Sequence, residues 1–150
     1  YTPAGDTAAI TLDAQFAIAS NLNHRLITIG TDGNYALVTT ALNLRAIDSA
    51  AKLNLFNTST NFNFTDIYLV EADAGIDDEL PFFRGYSSRA VNASLEIAAG
   101  IYDFYLTGLD DQEIVAGPLR LDLATGDVID MVVFDTADPA VLEITVIPTT

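Results

Sequence analysis

The sequence contains no cysteine among its 150 residues. This absence excludes thiol nucleophiles, disulfide bonds and zinc sites built on thiolates. It does not indicate a cellular compartment, because a bacterial surface protein can lack cysteine as easily as a cytosolic one. Long apolar runs are also absent, since no stretch approaches the ~20 apolar residues of a membrane-spanning helix. We therefore expect no membrane insertion.

Basic side chains are scarce. Six lysine and arginine residues stand against 21 aspartate and glutamate residues, which gives a formal net charge of -15, and Lys52 is the only lysine. A charge of this sign repels nucleic acid and anionic membranes, so we expect neither as a partner. The acidic residues are scattered rather than grouped in a tail. This distribution indicates a uniformly acidic surface, as in proteins of salty or extracellular surroundings.

Helical periodicity is absent too, and alternation of apolar and polar residues recurs instead. The segments with the alternation of a strand are 9–18, 25–30, 35–42, 51–57, 66–72, 93–98, 101–109, 117–123, 127–135 and 140–147. Turn residues such as Gly, Asp and Pro separate many of them. Only residues 40–50 are compatible with a helical turn, and an extended conformation fits them equally. The pattern predicts an all-β sandwich or barrel.

Two parts of the sequence resemble each other. A shift of 105 residues places residues 26–42 over 131–147, strand over strand and turn over turn, and a shift of 109 places 10–13 over 119–122. Few positions are identical, so chance similarity is the alternative. A repeat of roughly a hundred residues can bury its own core, which favours a tandem array of domains over a solenoid.

The repeat predicts a division of the chain into two parts. Residues 1–45 would be the closing strands of a preceding repeat unit, and residues 50–150 would be a complete sandwich domain. The first part carries apolar alternation that would expose sheet edges if it stayed unpaired. We expect it to pack on the following unit, or on another chain by strand exchange, which would give a homo-oligomer.

The order of segments in the second part resembles a known family. The likeness is carried by residues 51–59, 65–73, 80–82, 94–107 and 117–135. Within them it rests on Asn57, on the strand from Asp66 to Leu69, and above all on the corner from Leu95 to Tyr102. In these features the sequence resembles the domain of unknown function 4397 family. The resemblance implies an immunoglobulin-like β-sandwich of secreted or envelope proteins of bacteria and archaea, often in tandem. It implies no catalytic residues.

The segment "SLEIAAGIYDFYLT" (94–107) contains a candidate tyrosine corner. Tyr102 follows the corner residue Gly100 and lies seven residues after Leu95, which points inward. In such a corner the ring packs inside and the hydroxyl binds backbone at the bend. We expect Tyr102 to be structural rather than catalytic, because no base lies near it in the sequence. Asp103 and Tyr105 alternate to the opposite face, where we expect them to be solvated.

Two acidic loops, 71–80 and 108–113, are the candidates for chemistry. Their metal candidates are Asp73, Asp77, Asp78, Glu79, Asp110 and Asp111. Calcium takes six to eight hard oxygen ligands, which such loops could supply with backbone carbonyls. Neither loop has the ligand spacing of an EF-hand, so solvated turns are the alternative. Paired carboxylates could also cleave glycosidic bonds if a cleft held them on opposite sides.

Aromatic residues cluster in two further segments, 56–64 and 81–86. The candidates for an aromatic binding patch are Phe62, Phe64, Phe82, Phe83 and Tyr86. Exposed together, they would bind a protein or glycan partner. The alternative is that most of them close the open end of the sandwich.

Other catalytic arrangements are not indicated. His24 is the only histidine, and we expect it in an exposed loop. No serine lies in a nucleophile-elbow sequence. The sequence therefore predicts a non-catalytic β-sandwich module that is secreted, periplasmic or on the cell surface, without a cofactor, serving as a spacer, adhesion or binding domain. The alternatives are a calcium-dependent binding module and a hydrolase with paired carboxylates.

Overall fold

The structure is a computed structural model that describes residues 14–20, 22–31, 34–42, 44–88 and 91–148. In these ranges the regular elements are all β-strands, so none is a helix able to span a membrane. The strands are β1 (Asn23–Thr31), β2 (Asn34–Leu42), β3 (Ala51–Asn57), β4 (Phe64–Glu71), β5 (Phe83–Ser87), β6 (Val91–Ile97), β7 (Gly100–Gly108), β8 (Ile114–Leu123), β9 (Val128–Asp135) and β10 (Leu142–Pro148). The predicted all-β class is confirmed.

The chain divides into two compact units, Tyr1–Leu44 and Arg45–Thr150. In its described residues the first unit contains the antiparallel hairpin of β1 and β2, in which Ile27 pairs with Val38. The second unit is a β-sandwich. The division falls close to the boundary predicted at residue 45.

The sandwich consists of two four-stranded sheets. Sheet I has the order β10-β9-β3-β6, and sheet II has the order β5-β4-β7-β8. Neighbouring strands are antiparallel except β3 and β9, which run parallel with Leu55 opposite Met131. Every residue of β3 is buried, as expected of a central strand with two neighbours.

The core lies between the two sheets and follows the period-two alternation of the strands. Leu53 and Leu55 of β3 face Phe104 and Leu106 of β7, and all four side chains are fully buried in one cluster with Met131 of β9. Burial of a side chain of this size contributes about 1.5 to 3 kcal/mol to stability. The alternation predicted from sequence therefore selects the correct inward faces.

The outer face of sheet II is covered by the segment that follows β4. In this segment Ile76 packs against Tyr68, Val70 and Tyr105 in a second apolar cluster. The expectation that Asp103 and Tyr105 are solvated is therefore wrong, since they are 3% and 7% exposed. Alternation correctly places both on the outer face, but it gives no information on the loop that covers that face.

Several strand bounds differ from the sequence prediction. Residue 43 lies outside the described ranges, and the other residues of 40–50 form no helical turn, because residues 40–42 complete β2 and Ile47 forms an isolated bridge with Ala50. Of the strand predicted at 9–18, residues 14–18 are not in a strand and residues 9–13 lie outside the described ranges. His24 is a half-buried residue of β1 rather than an exposed loop residue.

Strand β5 was not predicted because a bulge interrupts its alternation. Thr65 pairs with Tyr86 and Ile67 pairs with Phe83, so Asp66 of β4 lies opposite two residues of β5. One of these two, Gly85, has a φ of 64°, which glycine adopts without strain. The bulge turns Tyr86 back into the core.

The two segments that match in sequence have related structures. The hairpin of β1 and β2 corresponds to the hairpin of β9 and β10, in which Val133 pairs with Ile144. Once the shift of 105 residues is applied, the register of β1 with β2 differs by two residues from that of β9 with β10. The difference arises because the connection between Asp135 of β9 and Leu142 of β10 is longer than that between β1 and β2. An even offset leaves corresponding residues on the same face. The repeat itself stays a prediction.

Candidate functional site

The two acidic loops lie next to each other on the outer side of sheet II. The side-chain amide of Gln112 donates hydrogen bonds to the carbonyl oxygens of Ile76 at 3.5 Å and Asp77 at 3.4 Å. Between the loops is a cleft of about 360 Å³, called here the acidic cleft. Its ionisable and phenolic lining residues are Asp66, Tyr68, Glu79, Arg84, Asp110 and Asp111.

Asp66 forms the floor of the acidic cleft and is 1% exposed. Its Oδ1 accepts a hydrogen bond from the backbone N–H of Gly85 at 2.7 Å, and its Oδ2 accepts one from the N–H of Asp110 at 3.1 Å. The carboxylate thus joins the bulge of β5 to the turn after β7. Buried carboxylates need such partners, so the bonding of Asp66 is structural.

Arg84 and Asp110 form an ion pair at the mouth of the cleft, with 3.3 Å between Nη1 and Oδ1. Both side chains are mostly exposed, at 62% and 68%. Exposed pairs of this kind contribute little to stability. The pair leaves the other cleft carboxylates without a cationic partner among the described residues.

Asp73 of the first loop belongs to a different cluster. Arg120 of β8 donates to Asp103 from Nε at 2.5 Å and from Nη2 at 3.2 Å, and its Nη2 also lies 2.6 Å from Asp73. The backbone N–H of Asp73 donates to Asp103 at 2.8 Å. The hydrogen bonds from Arg120, with that from Asp73, hold the pKa of Asp103 below its usual value despite its burial.

Replacement of Asp103 by asparagine is expected to make the stability of the protein less dependent on pH in the acidic range. A carboxylate whose pKa is lowered by folding stabilises the protein above its unfolded pKa of about 3.9, and that contribution is lost as the pH falls through the folded value. Asp103→Asn should therefore lower the urea midpoint at pH 7. On acidification below pH ~4, the midpoint of the variant should fall less than that of the wild type. Asp122→Asn, an exposed change on β8, is the control and should keep the wild-type profile. Parallel profiles for wild type and Asp103→Asn would contradict this role.

Asp135, at the end of β9, braces a third loop. Its carboxylate accepts hydrogen bonds from Oγ of Ser59 at 2.6 Å and from the N–H and hydroxyl of Thr60 at 2.8 and 2.7 Å. Partial burial raises the pKa of Asp135, but the hydrogen bonds from Ser59, Thr60 and Asn61 together outweigh it, so the pKa lies below its usual value. The loop between β3 and β4 is fixed in this way.

The metal candidates are not brought together around one point. In the part of the chain that the structure describes, no group of three acidic or histidine side chains could hold a metal ion. Asp73 and Asp110 are in ion pairs, while Asp77, Asp78, Glu79 and Asp111 are exposed. Calcium binding stays the alternative that the sequence leaves open.

The aromatic candidates separate into three kinds. Phe64, Phe82 and Phe83 are 48%, 48% and 41% exposed, and are called here the aromatic edge. Phe62 is half-buried and packs against the core. Tyr86 is only 4% exposed, so its assignment to a surface patch is wrong. The bulge at Gly85 points it inward, and its ring meets that of Phe83 edge to face at 6.0 Å.

The two candidate tyrosine braces differ in their hydroxyl groups. The ring of Tyr102 lies over Gly100, where an added Cβ would come within 3.1 Å of it, and Leu95 packs against the same core. The hydroxyl of Tyr102 has no hydrogen bond to a described residue, so the tyrosine corner stays a prediction. The hydroxyl of Tyr86 instead donates to the carbonyl oxygen of Leu55 at 2.5 Å and joins sheet II to sheet I.

Removal of the Tyr86 hydroxyl is expected to destabilise the protein by about 1 kcal/mol, the usual net contribution of a hydrogen bond. Tyr86→Phe keeps the ring and removes the hydroxyl that makes this bond. Tyr102→Phe is the matched control, and its free energy of unfolding should stay within about 0.5 kcal/mol of wild type. Urea unfolding followed by circular dichroism measures both. A larger loss for Tyr102→Phe than for Tyr86→Phe would assign the brace to Tyr102 instead.

Sequence reasoning missed Asp66, Tyr68 and Arg120 as site residues. Their positions within β4 and β8 place them on the outer face of sheet II. Period-two alternation in the sequence already indicates this face. Their partners come from other strands and loops, such as Asp103 of β7 for Arg120, and no local signal indicates those partners.

A comparison with protein-family models finds no match, and a comparison with curated proteins finds none either.

Proposed function

We propose that residues 45–150 are a non-catalytic binding module of a secreted, periplasmic or cell-surface protein. The observation that supports this proposal best is the aromatic edge. Phe64 lies at the start of β4, Phe82 directly precedes β5, and Phe83 is the first residue of β5, which is one of the two edge strands of sheet II. Exposed aromatic side chains beside an edge strand are typical of surfaces that bind partners.

The strand order supports an immunoglobulin-like assignment. In sheet II the order β5-β4-β7-β8 matches the order of strands C′, C, F and G of an immunoglobulin variable domain, and the pair of β3 and β6 matches strands B and E. In this correspondence Tyr102 lies two residues before the buried Phe104, as a tyrosine corner requires. The parallel strand β9 departs from the pattern, because an immunoglobulin domain has an antiparallel strand A beside strand B.

Three carboxylates are engaged in structural hydrogen bonds, which favours a binding module over a hydrolase. Asp66, Asp103 and Asp135 each hold loop backbone or an arginine by hydrogen bonds. A catalytic acid or base needs a carboxyl group free to exchange a proton with substrate. The related hairpins of the two units support a tandem arrangement of such modules.

The test is binding of the labelled chain to a glycan array. The aromatic variant Phe82→Ser/Phe83→Ser should reduce the signal about tenfold, as expected for loss of stacking side chains worth more than 1 kcal/mol. Ile101→Ser is the matched control, since Ile101 is 52% exposed but lies outside the aromatic edge, and it should bind like wild type.

Two results would contradict the proposal. Glycan binding that is equal in wild type and in the aromatic variant would exclude the aromatic edge. Turnover of chromogenic glycosides that is lost on carboxylate substitution would favour the hydrolase instead. Absence of any glycan signal would exclude a glycan ligand and leave a protein partner to be sought.

A further inference from the structure

The acidic cleft carries excess negative charge. Four carboxylates line it, from Asp66, Glu79, Asp110 and Asp111, against the single guanidinium of Arg84. Asp110 is paired with Arg84, and both oxygens of Asp66 accept backbone hydrogen bonds. Asp111 accepts one backbone hydrogen bond on Oδ1, from the N–H of Glu113 at 3.0 Å, and no hydrogen bond from a described residue reaches its Oδ2. Glu79 has no hydrogen bond or ion pair from its side chain to a described residue. The cleft therefore attracts a cation.

Tyr68 supplies a second and independent observation. Its ring packs with Val70, Ile76 and Tyr105, and the residue is 3% exposed. Its hydroxyl has no hydrogen bond to any residue in the described ranges. The hydroxyl oxygen is nevertheless not one of the polar atoms that are fully buried without a partner. The small exposed part of Tyr68 thus includes the hydroxyl oxygen, and Tyr68 lines the acidic cleft. A buried phenol normally has a partner, so this oxygen is available to a ligand.

The chemistry of the cleft fits an organic cation better than a metal ion. Calcium needs six or more oxygens around one point, whereas the carboxylates of Asp66 and Asp110 are already engaged. An ammonium or guanidinium group carries several N–H donors, which match the carboxylates and the phenol oxygen. Leu80 and Pro81 line the same cleft and offer apolar contact to a methylene chain.

We propose that the acidic cleft binds an alkylammonium or alkylguanidinium group. The group enters with its N–H donors toward Glu79, Asp111 and the hydroxyl of Tyr68, and its methylene chain lies against Leu80 and Pro81. Such a group occurs in free polyamines and in lysine or arginine side chains of a partner protein. This inference does not depend on the aromatic edge, so either proposal can fail without the other.

The test is a titration of the full chain, labelled with ¹⁵N, with butylammonium and butylguanidinium, with 1-butanol as the neutral match. Both cations should give saturable shifts of the backbone amides of residues 66–68, 79–80 and 110–112, and butanol should give none. Glu79→Gln/Asp111→Asn removes two charges and should weaken binding more than about tenfold. Tyr68→Phe keeps the packing, removes one hydrogen bond to a charged group and should weaken binding about tenfold.

Controls separate the site from general attraction to an acidic protein. Asp122→Asn removes one exposed charge outside the cleft and should bind like wild type. An equal loss in Asp122→Asn, absence of saturation, or saturable shifts with calcium but not with the organic cations would each overturn the proposal. Spermidine and a blocked lysine peptide then distinguish the sources, because tighter binding of spermidine supports a free polyamine and tighter binding of the peptide supports a protein side chain.

Discussion

Replacement of Gly117 by alanine is expected to lower the free energy of unfolding by about 4 kcal/mol, because backbone strain and a steric clash add up. Gly117 lies in β8 with a φ of 105°, which side chains with a Cβ rarely adopt. A Cβ at this position would lie 2.5 Å from the carbonyl oxygen of Phe104 and 3.1 Å from Cα of Tyr105. Both neighbours are backbone atoms of the central strand β7, so neither can move aside.

Gly126 provides the matched control for Gly117. Its φ is 88°, but an added Cβ would have no atom within 4 Å. Gly126→Ala should therefore lower the free energy of unfolding only through backbone strain, by about 1 to 2 kcal/mol. The difference between the two variants in urea unfolding, followed by circular dichroism, measures the clash. Equal midpoints would show that β7 and β8 separate to make room and would contradict the rigid packing described above.

Asp66→Ala is expected to lower the free energy of unfolding by about 3 kcal/mol, because it leaves the backbone amides of Gly85 and Asp110 without their acceptor. Asp66→Asn keeps one carbonyl oxygen as acceptor, so it should lose about half as much. The local effect is measured by hydrogen exchange, which should accelerate at these two amides more than at the amides of β3. Unchanged exchange at Gly85 and Asp110 would show that other groups hold the bulge and the turn.

The sequence is sufficient to predict the class of the fold and much of the core. Residues 51–57 are predicted as a strand and form β3 with the same bounds. The inward faces of β3, β7 and β9 also follow from the alternation of apolar and other residues in the sequence, because successive side chains of a strand point to opposite faces. These features depend on neighbouring residues in the sequence, which is why local patterns reveal them.

The features that could not be predicted depend on distant residues. Asp103 is correctly placed on the outer face of its strand, but its partners Arg120 and Asp73 come from β8 and from the covering loop. Strand β5 is hidden because one bulge reverses the alternation between Phe83 and Tyr86. The acidic loops were identified separately, and only the fold brings them to one cleft.

The parallel pairing of β3 with β9 has a consequence for synthesis on the ribosome. The strands of sheet II are all complete once Leu123 has emerged, and each pairs with an antiparallel neighbour. Within the sandwich, strand β3 is made first, but it acquires its second neighbour β9 only after sheet II is complete. The bond between Asn54 and Asp130 spans this separation of 76 residues. Contacts this distant slow folding, and an open strand edge can mispair while it waits. The nascent chain therefore passes through a state with one finished sheet and one half-built sheet, which is the state that a chaperone would have to protect.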